Sequence, residues 1–321
     1  MYITYNKLQE PYGEKLDQLF QRKNCLIEVN PGRVLLPEKF KEIGEQIRAL
    51  RIRKSDVWLI SYPRTGSTWA QEMIWLLGHD LDYAGARQLQ AIRTPLLELT
   101  AVMASDHTDW TENSIGNSVQ KIHEMPDVRY AKSHLPRDLL PKEMEIVKPK
   151  VIYIARNPKD MCVSYYHYCV LIHNLHGTFE EFCELFLEGM VPVGPIWNHI
   201  LGFWELRDEP NVMFLRYEDM KRNLRGTIDR TAKFLGTTIG DADAERLCEH
   251  LSFHSMKANP AVNLEPIMRQ SFGDDFLDGT DLRFIRRGEV GDWRNYMTDD
   301  MSQRFDKWTA QHLKGTGLDF D

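Results

Sequence analysis

Tyr62-Pro63-Arg64-Thr65-Gly66-Ser67-Thr68-Trp69 follows Val57-Trp58-Leu59-Ile60-Ser61, a short apolar run rich in strand formers. After it, Trp69, Met73, Ile74 and Leu77 recur at helical spacing. The order is strand, tight loop, helix start. Such a loop turns free backbone N–H groups towards a helix N-terminus, where the dipole favours an anion. Gly66 permits close backbone approach. Thr65, Ser67 and Thr68 add hydroxyls, and Arg64 adds a planar cationic fork. A capped helix after a buried strand explains one hydroxyl, but not three beside a glycine and an arginine. The stretch is therefore read as an anion site, with phosphate as its occupant. It is neither a Walker loop nor the three-glycine dinucleotide fingerprint, because neither string occurs here.

Outward from this loop, apolar segments at 57–62, 128–134, 151–156 and 212–217 read as strands. Helical patterns lie at 69–78, 158–171, 178–188, 196–207 and 223–235. Alternation of this kind predicts an α/β fold with a central parallel sheet flanked by helices. The chain of 321 residues suits one domain over 1–321, with residues 1–50 as a polar, partly helical lead-in packed on it. A net charge of −7 argues against wholesale nucleic-acid binding, so any cationic site must be local. The first residues carry no apolar signal region, and no apolar run approaches the ~20 residues that span a bilayer. Five scattered cysteines without a Cys-x-x-Cys pair read as reduced thiols, so a cytoplasmic location is expected. Cys169, His173 and His176 stand close in sequence, but a helix with ordinary side chains explains them better than a metal, and no metal is expected.

In open parallel sheets, ligands bind beyond the carboxyl ends of the strands. All four predicted strands end in polar chemistry: Arg64-Thr65-Gly66, Lys132-Ser133-His134, Arg156-Asn157-Pro158 and Arg216-Tyr217-Glu218-Asp219. Neighbouring parallel strands would set these four ends on one rim. Asn157 is a good N-cap and Pro158 a good first helical residue, which places Arg156 beside a second helix start. Arg156 on its own reads equally well as a surface ion-pair partner or as a second phosphate clamp. Lys132 and His134, two apart in a strand, face the same way. An imidazole there suits a general base, and a neighbouring lysine would keep it neutral. Arg286-Arg287-Gly288, followed by Gly291-Asp292-Trp293, reads as a basic flap.

The loop resembles the 5′-phosphosulfate loop of the cytosolic sulfotransferases, Pro-Lys-Ser-Gly-Thr-x-Trp. Five further motifs of that family recur in order. They are Lys132-Ser-His-Leu-Pro136, Arg156-Asn-Pro-Lys-Asp-Met-Cys-Val-Ser-Tyr-Tyr166, Tyr217-Glu-Asp-Met220, Ser252-Phe-His-Ser-Met-Lys257 and Arg286-Arg-Gly-Glu-Val-Gly-Asp-Trp293. The resemblance implies a transferase that uses 3′-phosphoadenosine 5′-phosphosulfate (PAPS) and releases 3′-phosphoadenosine 5′-phosphate (PAP). It implies that Arg64, Thr65, Gly66, Ser67 and Thr68 hold the 5′-phosphate and sulfuryl group, and that Trp69 stacks on adenine. Arg156, Ser164 and Arg286, with the backbone of Arg287 and Gly288, would bind the 3′-phosphate. Tyr217, Ser252 and Phe253 would line the adenosine pocket, and Phe284 and Ile285 lead into the flap. His134 would deprotonate a small-molecule hydroxyl acceptor, with Lys132 and Arg64 neutralising charge on the moving group. Leu96, Leu99 and Tyr168 would line the acceptor pocket.

The chain departs from the family at several points. Arg64 replaces a lysine, Leu251 stands where a threonine often precedes Ser-Phe, and Leu96 and Leu99 replace aromatics. The family's short dimer motif falls on Arg294, Thr298, Asp299 and Gln303, of which only Thr298 matches, so a homodimer is weakly supported. The segment 103–125, with Trp110, and the stretch 277–282 read as lids or plain loops. Two other enzymes compete. One is a family variant that sulfonates an alcohol and then eliminates sulfate, retinol dehydratase-like. The other is a kinase using Glu218-Asp219 for Mg²⁺, against which the missing Walker lysine counts. A non-catalytic PAP-binding protein is the third alternative.

Overall fold

The computed structural model describes residues 2–102 and 116–320, so part of the long segment before the histidine strand, including Trp110, lies outside the described residues. Residues 1–50 are partly helical, and they also carry a small sheet that the sequence reading did not include. Strands β1 (Thr4–Lys7), β2 (Ile27–Asn30) and β3 (Val34–Leu36) form a small antiparallel sheet in the order β1-β2-β3. Helices Tyr12–Leu19 and Phe40–Ala49 flank it. Val29 pairs with Val34 across Asn30-Pro31-Gly32-Arg33, a turn-forming tetrapeptide. Its alternation of buried Ile27 and Val29 with half-buried Glu28 and Asn30 is the period-two signal that reveals the hairpin.

The main sheet is parallel, with β4 (Val57–Ser61), β5 (Tyr130–Ser133), β6 (Lys150–Ala155) and β7 (Val212–Arg216) in the order β5-β4-β6-β7. Each of the four expected strands forms, within two residues of its expected ends. Their side chains split cleanly between two cores. Trp58, Ile60, Val151, Tyr153 and Ala155 enter one core with Phe182, Phe186, Trp197 and Phe203. Val57, Leu59, Ile152, Ile154 and Leu215 enter the other with Met73, Ile74, Leu77, Ile228 and Ala232. Burial on both faces explains why these strands read as continuous apolar runs.

Strand order reverses between β4 and β6, because β5 and β6 flank β4 on opposite sides. The crevice of such a sheet opens at that reversal. The loop 62–69 leaves β4 there, and Arg156 leaves β6 beside it.

Candidate active site

The helix after β4 runs Ser67–Gly78, starting two residues earlier than its apolar spacing indicates. Gly66, at φ 96°, is its left-handed N-cap. A Cβ on Gly66 would stand 2.5 Å from Cδ2 of Tyr217, so only glycine lets this ring lie against the loop. Among the described residues the N–H groups of Gly66, Ser67 and Thr68 meet no acceptor, and they remain open to an anion. Thr65 differs from expectation. It is fully buried, and its hydroxyl donates to the Tyr62 carbonyl at 3.0 Å, so it shapes the loop from within.

Arg64 is held in place. Its Nε donates to Ser164 Oγ at 3.1 Å and its Nη2 to the Phe284 carbonyl at 2.9 Å. The guanidinium lies 5.1 Å from the Tyr168 ring centroid and 5.4 Å from that of Phe284. Burial, with Arg156 and Arg286 nearby, pulls its pKa down to about 10, which still leaves it a cation at neutral pH. Trp69 is fixed by Nε1 donating to the Leu251 carbonyl at 2.8 Å, so Leu251 contributes through its backbone. Tyr217 meets Trp69 edge-on at 5.7 Å and carries the Arg156 guanidinium at 4.4 Å from its ring centroid.

Arg156 ties two segments together, donating to the carbonyls of Arg64 at 3.3 Å and Glu289 at 3.0 Å. Asn157 caps the helix Pro158–His173 by accepting from Lys159 N. Asp160, one turn on, accepts from the N–H of Gly291 at 2.6 Å and of Trp293 at 3.0 Å. It thereby clamps the arginine flap to the helix, a role sequence reading overlooked because an aspartate at a helix start is already explained by the dipole. Arg286 donates to Tyr296 Oη at 3.1 Å and pairs with Asp292, which also lies 3.4 Å from Arg287. Burial works against the Asp292 carboxylate, but hydrogen bonds from Asn295 and Arg286 outweigh it and hold its pKa low. Gly288, at φ 67°, lies so close to Phe253 that an added Cβ would be 2.6 Å from the ring. Ser252 Oγ caps the short helix Phe253–Ala258 by accepting from Ser255 N. Asp160→Ala should free the flap and weaken PAP binding about tenfold. Titration calorimetry checks this, and unchanged affinity would place the anchor elsewhere.

At the end of β5, Lys132 and His134 line the same cleft as the loop and flap. His134 Nδ1 lies 2.7 Å from the Ser61 carbonyl, which only accepts, so Nδ1 carries the proton and Nε2 keeps its lone pair. Burial and the neighbouring Lys132 hold the imidazole pKa well below its usual value, so it is neutral at physiological pH. Burial also pulls the Lys132 ammonium down to about 8, while Glu98 acts in the opposite direction.

Glu98 is the main residue that sequence reading missed. Fully buried, it accepts from the His134 N–H at 2.6 Å and from Ser133 Oγ at 2.9 Å. Burial pushes its pKa up to about 7. It arrives on a segment docked along the outer edge of β5, where Lys132 N donates to the Pro95 carbonyl and Leu97 N to the Lys132 carbonyl. A lone glutamate among leucines in Leu96-Leu97-Glu98-Leu99 was the available signal.

The nucleotide-side residues named from the sequence line one cavity of ≈ 320 Å³ that also includes Leu96, Leu99 and Tyr168, with Thr65 and Ser252 standing just outside it. One end is cationic. The other is largely apolar, and part of its wall, Phe20, Cys25, Leu26 and Pro37, comes from the N-terminal 50 residues. The buried Nε atoms of Arg156 and Arg286 have no partner, as fits a pocket built for a second phosphate.

Other expected residues have different uses. Arg216 turns away from the rim to Asp219 and Asp319. Glu218 accepts from Asn157 N at 2.9 Å through Oε1 and its unpartnered Oε2 is buried, while Asp219 pairs with Arg216 and Arg222. Thr298 caps the helix Asp299–Leu313 through Met301 N, and Asp299 sits in its first turn. Leu277 is buried against Leu171, Ile172 and Met268 and anchors the 277–282 stretch. Among the described residues no group of three or more His, Cys, Asp or Glu could hold a metal ion.

Fold and cleft together define an α/β transferase with an arginine-rich nucleotide end and a histidine at the junction with an apolar acceptor end. The sulfotransferase domain family matches residues 54–317. Luciferin sulfotransferase of Photinus pyralis is 37% identical over 286 residues, covering 87% of this chain and 77% of that protein. Sulfotransferase 1E1 of Bos taurus is 32% identical over 292 residues, covering 90% and 94%. Among solved structures, retinol dehydratase in complex with retinol and PAP superimposes with a TM-score of 0.89 at 28% identity, over 100% of this chain and 99% of that one. The chain belongs to the sulfotransferase family. It is a sulfotransferase, and its sulfuryl donor is PAPS.

Proposed function

We propose that the whole chain, residues 1–321, works as one cytoplasmic sulfotransferase that moves the sulfuryl group of PAPS to the hydroxyl, or an amine, of a small apolar acceptor. The observation that carries this reading is the tautomer of His134, whose Nδ1 is engaged by Ser61 and whose Nε2 is bare beside Lys132. His134 Nε2 takes the acceptor's proton. The freed oxygen forms the new S–O bond as the bond from sulfur to the 5′-phosphate oxygen breaks. Lys132 and Arg64 neutralise the charge that develops on the sulfuryl and phosphate oxygens. The free N–H groups of the loop add dipoles aimed at the same atoms. Arg156, Ser164 and Arg286 hold the 3′-phosphate with the backbone of Arg287 and Gly288, while Trp69, Tyr217 and Phe253 enclose the adenosine. Leu96, Leu99 and Tyr168 face the acceptor. We infer neither nucleic acid nor membrane as a partner. A homodimer through the 294–303 stretch is disfavoured, because only Thr298 of Arg294, Thr298, Asp299 and Gln303 matches the family's dimer motif.

A second reading is favoured by the superposition on retinol dehydratase across the full chain. Here the alcohol is sulfonated and sulfate then leaves, giving net loss of water. Incubation with PAPS and a panel of phenols, aliphatic alcohols, sterols and retinol, with products read by mass, separates the two. Gain of sulfate supports transfer and loss of water supports elimination. PAP binding without turnover of any acceptor would leave a nucleotide-binding protein, and Mg²⁺-dependent ATP turnover would revive the kinase reading.

Lysine is a cation below its pKa and neutral above it, and Lys132 titrates at about 8. The free-enzyme quantity kcat/KM for PAPS should therefore decline above pH 8. In Lys132→Arg the decline should vanish, since guanidinium does not deprotonate in this range. A persistent alkaline limb in that variant would assign it to another group.

A further inference from the structure

Behind His134 lies a buried pair with no place in the reaction described above. His199 is 1% exposed and Tyr153 is fully buried. His199 Nε2 lies 3.0 Å from the His134 carbonyl, and its Nδ1 lies 2.8 Å from Tyr153 Oη. A carbonyl only accepts, so His199 Nε2 must carry the proton. Nδ1 is then bare, and the tyrosine hydroxyl donates to it. Burial pulls His199 down to about 4, so a single proton remains on the ring at neutral pH and its tautomer is dictated by its two partners.

We propose that His199 and Tyr153 are positioning residues that aim the Nε2 lone pair of His134. The argument is geometric. Strand β5 ends at Ser133, so the ladder no longer holds the backbone at His134. Three other contacts take over. Glu98 accepts the His134 N–H, His199 donates to the His134 carbonyl, and the Ser61 carbonyl accepts from the ring. The first two fix the peptide planes on either side of Cα, and the third fixes the ring. With all three made, Nε2 has one direction left. Tyr153 acts at one remove. Without its hydroxyl, His199 can shift its proton to Nδ1, leaving two lone pairs facing each other at the His134 carbonyl. Tyr153 is itself immobilised, stacked on Phe203 at 4.7 Å and Phe214 at 5.0 Å in the core.

The inference rests on His134 being the base, so the test includes His134→Ala. His199→Leu should lower kcat about 100-fold, as expected of a misplacement near 1 Å, with PAP affinity unchanged. His199→Gln, which keeps a donor near the Nε2 position, should restore most of the loss, and a purely structural role would not produce that split or that rescue. Tyr153→Phe keeps the core volume and should cost about tenfold in kcat, and it decides the matter alone if His199→Leu does not fold. Equal losses in the Leu and Gln variants, PAP affinity falling in step with kcat, or full activity in Tyr153→Phe would overturn the proposal. His134→Ala with wild-type turnover would overturn the base assignment itself. An inactive His134→Ala beside fully active His199 and Tyr153 variants would overturn only the positioning role.

Discussion

His134→Ala should lower kcat by about 10²–10⁴, the range that a positioned general base contributes, and leave PAP affinity nearly intact. The backbone contacts at this position run through the N–H to Glu98 and the carbonyl to His199, and alanine retains both. The loop and the arginine flap do not lean on the imidazole, so the nucleotide end should assemble as before. What disappears is an acceptor for the proton, neutral because burial and Lys132 both disfavour its charged form. Steady-state kinetics paired with calorimetry of PAP binding checks both halves. Full turnover would remove His134 from the chemistry.

Arg156→Ala should do the reverse. Its guanidinium joins the loop carbonyl of Arg64 to the flap carbonyl of Glu289 and stacks on Tyr217. Two of its five N–H groups serve those carbonyls, and the others, the unpartnered Nε–H among them, are left to meet an anion. Hydrogen bonds to charged groups contribute about 1.5–3 kcal/mol each. Losing the clamp should thus cost about 3 kcal/mol, roughly a hundredfold in the Kd of PAP, with a smaller effect on kcat at saturating PAPS. Arg156→Lys should recover little of it, because a point charge cannot reach two carbonyls and a ring together. A Kd close to wild type would reassign Arg156 to the scaffold.

The donor side of this cleft was legible because its physics is local. Strand, loop and helix start are contiguous in Tyr62–Trp69, and Asn157-Pro158 announces its own helix. The four buried strands betray themselves by continuous apolar runs, which two-sided cores require. The small sheet within residues 1–50 went unread because β1 and β3 are only four and three residues long, too short for periodicity to stand out. Glu98, Asp160 and His199 were missed for a different reason. Each acts through a backbone group 36, 131 or 65 positions away, and no spacing along the chain encodes such a contact. Thr65 was assigned an outward-facing hydroxyl where the fold uses it inwardly, since a Ser or Thr at a turn serves the backbone as readily as a ligand.

The N-terminal antiparallel sheet also fixes how specificity can change. Leu35 N donates to the Gly194 carbonyl, and Val193 N donates back to the Leu35 carbonyl. Val193, Phe20, Cys25, Leu26 and Pro37 therefore reach the cavity from one stitched unit, whose one cation on the wall is Arg22, whereas Arg64, Arg156, Arg286 and Arg287 come from the loop, β6 and the flap. Donor handling and acceptor choice are physically separable in this architecture. Substitutions in the first forty residues can reshape the space opposite His134 while the sulfuryl-handling loop keeps its dimensions. New acceptors can be explored by descendants of such a chain without the transfer chemistry being rebuilt each time.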